Sequence, residues 1–262
     1  MTRHGTPTLH RAALVTGATS GIGEAFARAL PTATNALLTG RDRGALDRLA
    51  GELAAPGRRV ETVAADLSTD AGLDAVAARA EAFGVDLLVA NAGTGPFGDF
   101  LQASEESLRA TVSVNVMAPV VLLRRLLPGM LARARAVRRR AGVIVVSSNT
   151  AFLPIPRLAT YAASKAFDLS LAESLAAELS AEPVDVLALC PTATRSRFAA
   201  RSGFGGNLPG AEDPADVAKA ALHSLGRVRT LVRGPVSGLL LGGPALARAA
   251  VAQAISLVVP RR

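Results

Sequence analysis

Tyr161 is the only tyrosine in the chain, and Lys165, four positions on, is one of two lysines. Arginine supplies nearly all the other basic charge, so "YAASK" at 161–165 stands out against its own background. On a helix, residues four apart share a face, one turn from each other. A phenol titrates near pH ~10, too high for easy proton exchange at neutral pH, and an ammonium beside it favours the phenolate. Such a pair suits general acid–base work on an oxygen atom. A second stretch with chemical content is "TGATSGIG" at 16–23, with glycines at Gly17, Gly21 and Gly23. Glycines between a strand and a helix permit a tight turn and let backbone amides at the helix N-terminus approach a pyrophosphate. Their spacing, G-x-x-x-G-x-G, departs from the commoner G-x-G-x-x-G.

The elements that must hold these residues alternate along the chain. "RAALVTG" (11–17) is a short apolar strand, followed by "IGEAFARAL" with helical spacing. "NALLTG" (35–40), "RRVETVAADL" (58–67), "VDLLVANAG" (85–93), "AGVIVVSS" (141–148), "VDVLALCP" (184–191) and "RVRTLVRG" (227–234) are further strand candidates. Helical patterns separate them, including a long one after residue 93 running through Arg140 and another around 161–179. Asp or Ser at helix entries, as in "STD" and "EDPADVAKAAL", supplies N-cap chemistry. Near-continuous apolar strands alternating with helices indicate a parallel sheet covered on both faces. The expected fold is therefore α/β: a Rossmann-like, doubly wound parallel sheet of about seven strands in a three-layer αβα arrangement. Without an internal linker or repeat, residues 1–262 read as one dinucleotide-binding domain.

Composition narrows the function. The net charge of +8 comes mostly from arginine, aromatics are only 3% and Trp is absent, so stacking platforms for nucleic acid are lacking. The densest basic run, "RARAVRRR" at 133–140, reads as a solvated helix end suited to the negative dipole terminus. The single cysteine, Cys190, ends an apolar run and reads as a buried thiol. The N-terminal stretch before Gly17 holds no apolar run long enough for a signal peptide, and the apolar segment from Gly234 to Ala247 is Gly- and Pro-broken and too short to span a bilayer. Cytoplasmic localisation is the expectation, with membrane association and nucleic-acid binding disfavoured.

With these residues in view, the chain resembles the short-chain dehydrogenase/reductases (SDR) of single-domain type. The likeness runs in order along almost its whole length: "TGATSGIG", "DL" at 66–67, "NAG" at 91–93, Asn115 in "SVNVMAP", "SS" at 147–148, "YAASK", and "CPTATRSRF" at 190–198. The resemblance implies a nicotinamide cofactor held by Gly17, Thr19, Ser20, Gly21, Ile22 and Gly23. Asp66 would accept from the adenine amino group, Leu67 would line its pocket, and Asn91, Ala92 and Gly93 would lie beside the ribose. Pro191, Thr192 and Thr194 would approach the nicotinamide, although Thr192 stands where the family usually has glycine, and Ser196 where threonine is commoner. Lys165 would lower the Tyr161 pKa and bond the ribose hydroxyls, and Tyr161 would protonate an oxygen as hydride reaches its carbon. Ser148, at the family's usual thirteen-residue offset before Tyr161, would donate to that oxygen. Strand alternation lets only one of Ser147 and Ser148 face the site, and the offset selects Ser148. By resemblance Asn115 positions a relay water; a buried asparagine bonding backbone carbonyls is nearly as good a reading.

An NAD site usually ends its second strand in an acid, whereas an NADP site offers arginine to the 2′-phosphate. Here Gly40 stands where the acid would be and Arg41 follows, with Asp42 reading as a helix N-cap, so NADP(H) is expected over NAD(H). A substrate lid is expected at 194–213, where Phe198 and Phe204 would offer apolar contacts, and an apolar C-terminal helix at 244–259, for pocket, subunit interface or membrane surface. The leading expectation is a reductase of a small-molecule ketone or aldehyde (or the reverse alcohol dehydrogenase), as a homodimer or homotetramer. Two rivals are a non-catalytic dinucleotide-binding regulatory protein and a membrane-associated reductase of lipid-like ketones.

Overall fold

A computed structural model of the chain describes residues 9–195 and 210–234. Ser196, Phe198, Phe204, most of the expected lid and the expected helix at 244–259 lie outside the described residues. Seven parallel strands form one sheet: β1 (Ala12–Thr16), β2 (Asn35–Gly40), β3 (Val60–Ala64), β4 (Leu87–Ala90), β5 (Ala141–Val146), β6 (Val184–Cys190) and β7 (Thr230–Val232). Their spatial order is β3-β2-β1-β4-β5-β6-β7. The order reverses between β1 and β4, which opens a crevice beyond their carboxyl ends, where such sheets bind ligands.

Among the described residues seven helices connect the strands: α1 (Gly21–Ala29), α2 (Arg43–Leu53), α3 (Asp70–Phe83), α4 (Glu105–Val112), α5 (Ala118–Ala136), α6 (Ala159–Glu178) and α7 (Pro214–Ser224). Strand alternation divides the core in two. Ala13 and Val15 of β1 pack under α1, α2 and α7, with Phe26, Leu46 and Val217; Ala12 and Leu14 pack under α3, α5 and α6, with Val76, Leu122 and Leu169. β1, β4 and β5 are buried throughout, as strands covered on both faces must be.

The structure amends several sequence boundaries. The fourth strand stops at Ala90, so Asn91, Ala92 and Gly93 leave the sheet as a loop. The long helical pattern toward Arg140 is broken: a 3₁₀ turn at Phe100–Gln102 and α4 lead into a π turn at Ser113–Met117, and α5 ends at Ala136. Taken together, Glu105–Ala136 is long and apolar enough by composition to cross a membrane, with 39% of its most apolar window buried in the fold. In the "STD" entry Thr69 is the cap: its Oγ1 accepts from Gly72 N at 3.1 Å. Asp42 caps α2, accepting from Ala45 N at 2.9 Å, as its position before the helix predicts.

Candidate active site

The glycine turn is tied to the end of β4. Thr16 Oγ1 accepts from both Asn91 N and Ala92 N at 2.9 Å, and Asn91 Nδ2 donates back to Thr16 O at 2.9 Å. These bonds fix the two strand ends that flank the crevice. Gly17 has φ +66°, and a Cβ there would lie 2.9 Å from Ala92 Cα, so both the backbone conformation and the space demand glycine. At Gly23 a Cβ would meet Gly17 O at 2.2 Å. Gly23 therefore allows α1 to pack against the turn and does not itself line the crevice, whereas Gly17, Thr19, Ser20, Gly21 and Ile22 do.

A cavity with about 630 Å³ open to water-sized centres runs from this turn to Tyr161 and Lys165. At one end stand Gly40, Arg41, Asp66, Leu67 and Ser68. A Cβ on Gly40 would come within 2.8 Å of Thr19 Cγ2, so the residue that closes β2 is small because the glycine turn crosses it. Asp66 Oδ1 accepts from Ser68 N at 2.9 Å and Ser68 Oγ at 2.7 Å; these bonds, with Arg41 adding a smaller effect, hold its carboxyl below the usual range. Asp42 is turned to α2 as its cap, which leaves Arg41 as the charged lining residue after β2.

At the other end, Tyr161 and Lys165 lie on one face of α6, with Nζ 5.9 Å from the phenol ring centre. A Cβ on Gly95 would lie 2.8 Å from Tyr161 Cδ2, so the loop after β4 presses its bare backbone against the ring. Burial pushes the phenol above its ordinary pKa; Lys165 and a hydrogen bond with Ser148 pull the other way. The two serines after β5 divide their work. Ser147 Oγ donates to Lys165 O at 2.6 Å and so anchors α6, while Ser148 Oγ accepts from Thr150 N at 3.1 Å and bonds the phenol.

Asn115 lies in the π turn, buried, with its side chain fully engaged. Oδ1 accepts from Thr94 N at 2.9 Å, and Nδ2 donates to Thr94 O and Ser164 Oγ, each at 2.8 Å. The side chain thus braces the loop that carries Gly93 against α6. Pro191, Thr192 and Thr194 line the cavity beside Ser148; Asn149 Nδ2 donates to Thr192 Oγ1 at 3.2 Å, and Thr194 Oγ1 to Thr192 O at 2.9 Å.

Sequence reasoning missed Asp168. Its Oδ2 accepts from Lys165 Nζ at 2.9 Å, with both side chains buried. Its place three residues after Lys165, on the same helical face, was the available signal. Also missed were Thr94, in the loop after β4, and Leu158, at the start of α6, which line the cavity from positions that no motif marked. Among the described residues no cluster of His, Cys, Asp or Glu could hold a metal ion. The donor set fits an elongated, phosphate-bearing organic group: a bare glycine turn at a helix N-terminus, an arginine beyond it, and a phenol–ammonium pair at the far end.

The short chain dehydrogenase family model matches residues 11–203. A 1-deoxy-11-beta-hydroxypentalenate dehydrogenase of Streptomyces exfoliatus is 38% identical over 224 residues, covering 82% of this chain and 80% of that protein. The human mitochondrial dehydrogenase/reductase SDR family member 2 is 35% identical over 193 residues, covering 72% of this chain and 67% of that protein. Among solved structures, a short-chain dehydrogenase from Sphingobium yanoikuyae in complex with NADPH superposes with a TM-score of 0.75 at 31% identity over 96% of each chain. A 3-ketoacyl-(acyl-carrier-protein) reductase from Brucella melitensis complexed with NADH gives 0.74 at 30% identity, covering 85% of this chain and 95% of that one. The chain belongs to the short-chain dehydrogenase/reductase family and is an oxidoreductase that interconverts alcohols and carbonyls with a nicotinamide cofactor.

Proposed function

We propose that this protein is an NADP(H)-dependent reductase of a ketone or aldehyde, running in reverse as an alcohol dehydrogenase, with Tyr161 as the group that exchanges the proton. The observation that carries the proposal is the single cavity bounded by Arg41 and the glycine turn at one end and by Ser148, Tyr161 and Lys165 at the other. A non-catalytic dinucleotide sensor needs no phenol and ammonium held together at the foot of its cavity.

The residues divide the chemistry among them. Gly17, Gly21 and the first amides of α1 offer a site for a pyrophosphate, and Arg41 offers a planar fork to a 2′-phosphate. The bound dihydronicotinamide supplies the hydride. Ser148 donates to the carbonyl oxygen and stabilises the negative charge that grows there. Tyr161 passes its phenolic proton to the same oxygen, and Lys165, by its charge, favours the phenolate that results. Asn115 keeps the loop of Gly93 and Thr94 in register with α6.

A screen of ketones, aldehydes and secondary alcohols, followed by NADPH absorbance, tests the proposal. An active substrate should lose roughly 10²–10⁴-fold in kcat with Tyr161→Phe, the usual worth of a positioned general acid. Retention of full activity by that variant would remove Tyr161 from the mechanism.

A further inference from the structure

The stripe formed by Tyr161 and Lys165 continues along α6 to Asp168. Lys165 Nζ donates to Asp168 Oδ2 at 2.9 Å and to Val146 O at 2.8 Å. An ammonium has three donors, so two are committed behind the site and one remains for the cavity. The side chains of Lys165 and Asp168 are only 5% and 2% exposed, and Asp168 Oδ1 has no hydrogen-bond partner within the protein. A buried carboxylate oxygen in that state is costly unless water completes it. Asp168 also borders a small internal cavity, about 10 Å³ measured as room for the centre of a water molecule, enough for about one water. Thr16 and Asn115 are the other polar residues along its otherwise apolar wall.

We propose that Asp168 is a positioning residue for the Tyr161–Lys165 pair: one carboxylate oxygen holds the ammonium from behind, and the other binds a buried water in the cavity beside Asn115. The catalytic consequence rests on the reductase reading above; the electrostatic arrangement does not. Burial alone disfavours the Lys165 charge, but Asp168 and then Tyr161 outweigh it, so the ammonium is held above its ordinary pKa. At Tyr161, Asp168 acts against Lys165 and raises the phenol further. The groups facing the cluster from other elements leave that balance to these three. Ser148 after β5 and Asn115 of the π turn are uncharged, and the Cys190 thiol of β6 is pushed up to about 12 by burial and stays neutral. Glu173, further along α6, bears on Cys190 but accepts its hydrogen bond from Thr230 Oγ1 of β7, away from the cluster. Asp168 thus secures the lysine while moderating its pull on the phenol.

Tyr161 can be titrated by itself, because the chain has one tyrosine and no tryptophan, so phenolate ultraviolet absorbance comes from a single group. Asp168→Asn keeps the shape and removes the charge. Its titration midpoint, in the free protein and in the NADP⁺ complex, should fall by about half a unit to one unit. The acid limb of kcat/KM for alcohol oxidation should move down by the same amount. Asp168→Glu retains the charge, and its extra methylene can use the water cavity, so its midpoint should stay near that of the wild type. A midpoint that stays or rises in a folded Asp168→Asn protein, checked by circular dichroism, overturns the proposal. Should Asp168→Asn fail to fold, Asp168→Ser, which leaves room for further water, serves in the same titration. A dry cavity in a high-resolution crystal structure would remove the water. If no alcohol or carbonyl is turned over, the reductase reading fails while the titration still decides the role of Asp168.

Discussion

At the scale of single residues, the site depends on which neighbour claims each polar group. Ser147 and Ser148 are chemically identical, yet the Ser147 hydroxyl is spent on the backbone of α6, and Ser148 reaches the phenol. Asp42 and Arg41 are adjacent and opposite in charge; the carboxylate is taken up by the start of α2, and the guanidinium borders the cavity. The preference for NADP(H) that we propose rests on that division. Arg41→Ala should weaken NADPH binding by about tenfold or more, the worth of a charge-assisted hydrogen bond, and leave NADH binding nearly unchanged. Fluorescence titration with both nucleotides measures this, and equal losses for the two would assign the 2′-phosphate to another residue.

At the scale of elements, the active face is assembled where helices and strands end. Thr69 links two such ends: Oγ1 accepts from Gly72 N at the start of α3 and donates to Asp66 O at 2.9 Å. The fit there is close, since a Cβ on Gly72 would lie 1.9 Å from Asp66 O. Thr69→Ala should cost about 1 kcal/mol as a lost N-cap and lower Tm by roughly 2–4 °C. It should also weaken nucleotide binding, because Asp66 and Leu67 lose their anchor to α3. A fall in Tm with unchanged nucleotide affinity would confine Thr69 to capping. The π turn at Ser113–Met117 is a second local device. It turns Asn115 inward between Thr94 and Ser164, which places one side chain in contact with both the loop after β4 and α6.

At the scale of the whole molecule, the amino ends of the strands, opposite the cavity, carry their own charge balance. His10 is 7% exposed, lies against Gly142, and leaves Nδ1 without a partner; burial lowers its pKa from 6.5, against the pull of Asp86 and Asp185. Because the folded-state pKa lies below the unfolded one, His10 favours the native state fully above pH 6.5. As pH falls through that value the unfolded chain takes the proton first, and stability drops until the folded-state pKa is reached. Urea midpoints at about pH 7.5 and about pH 5.5 should therefore differ more for the wild type than for His10→Gln. Parallel behaviour of the two proteins would mean that His10 titrates alike folded and unfolded. The alternation of apolar strands and helical runs, the glycine turn and the Tyr161–Lys165 spacing were all legible in the amino-acid order, because periodicity and local offsets are properties of neighbours along the chain. The break of the long helical pattern at residues 113–117 was legible only in part: Pro119, just beyond it, has no N–H to give to the Asn115 carbonyl, but the bonds of Asn115 to Thr94 and Ser164 join segments distant in sequence. The task of the Asn115 side chain, the division between the two serines, and the pairing of Asp168 with Lys165 under a water-sized cavity were decided only by the tertiary structure. Each depends on burial and on bonds between segments distant in sequence, and those exist only once the sheet and its two layers of helices have closed.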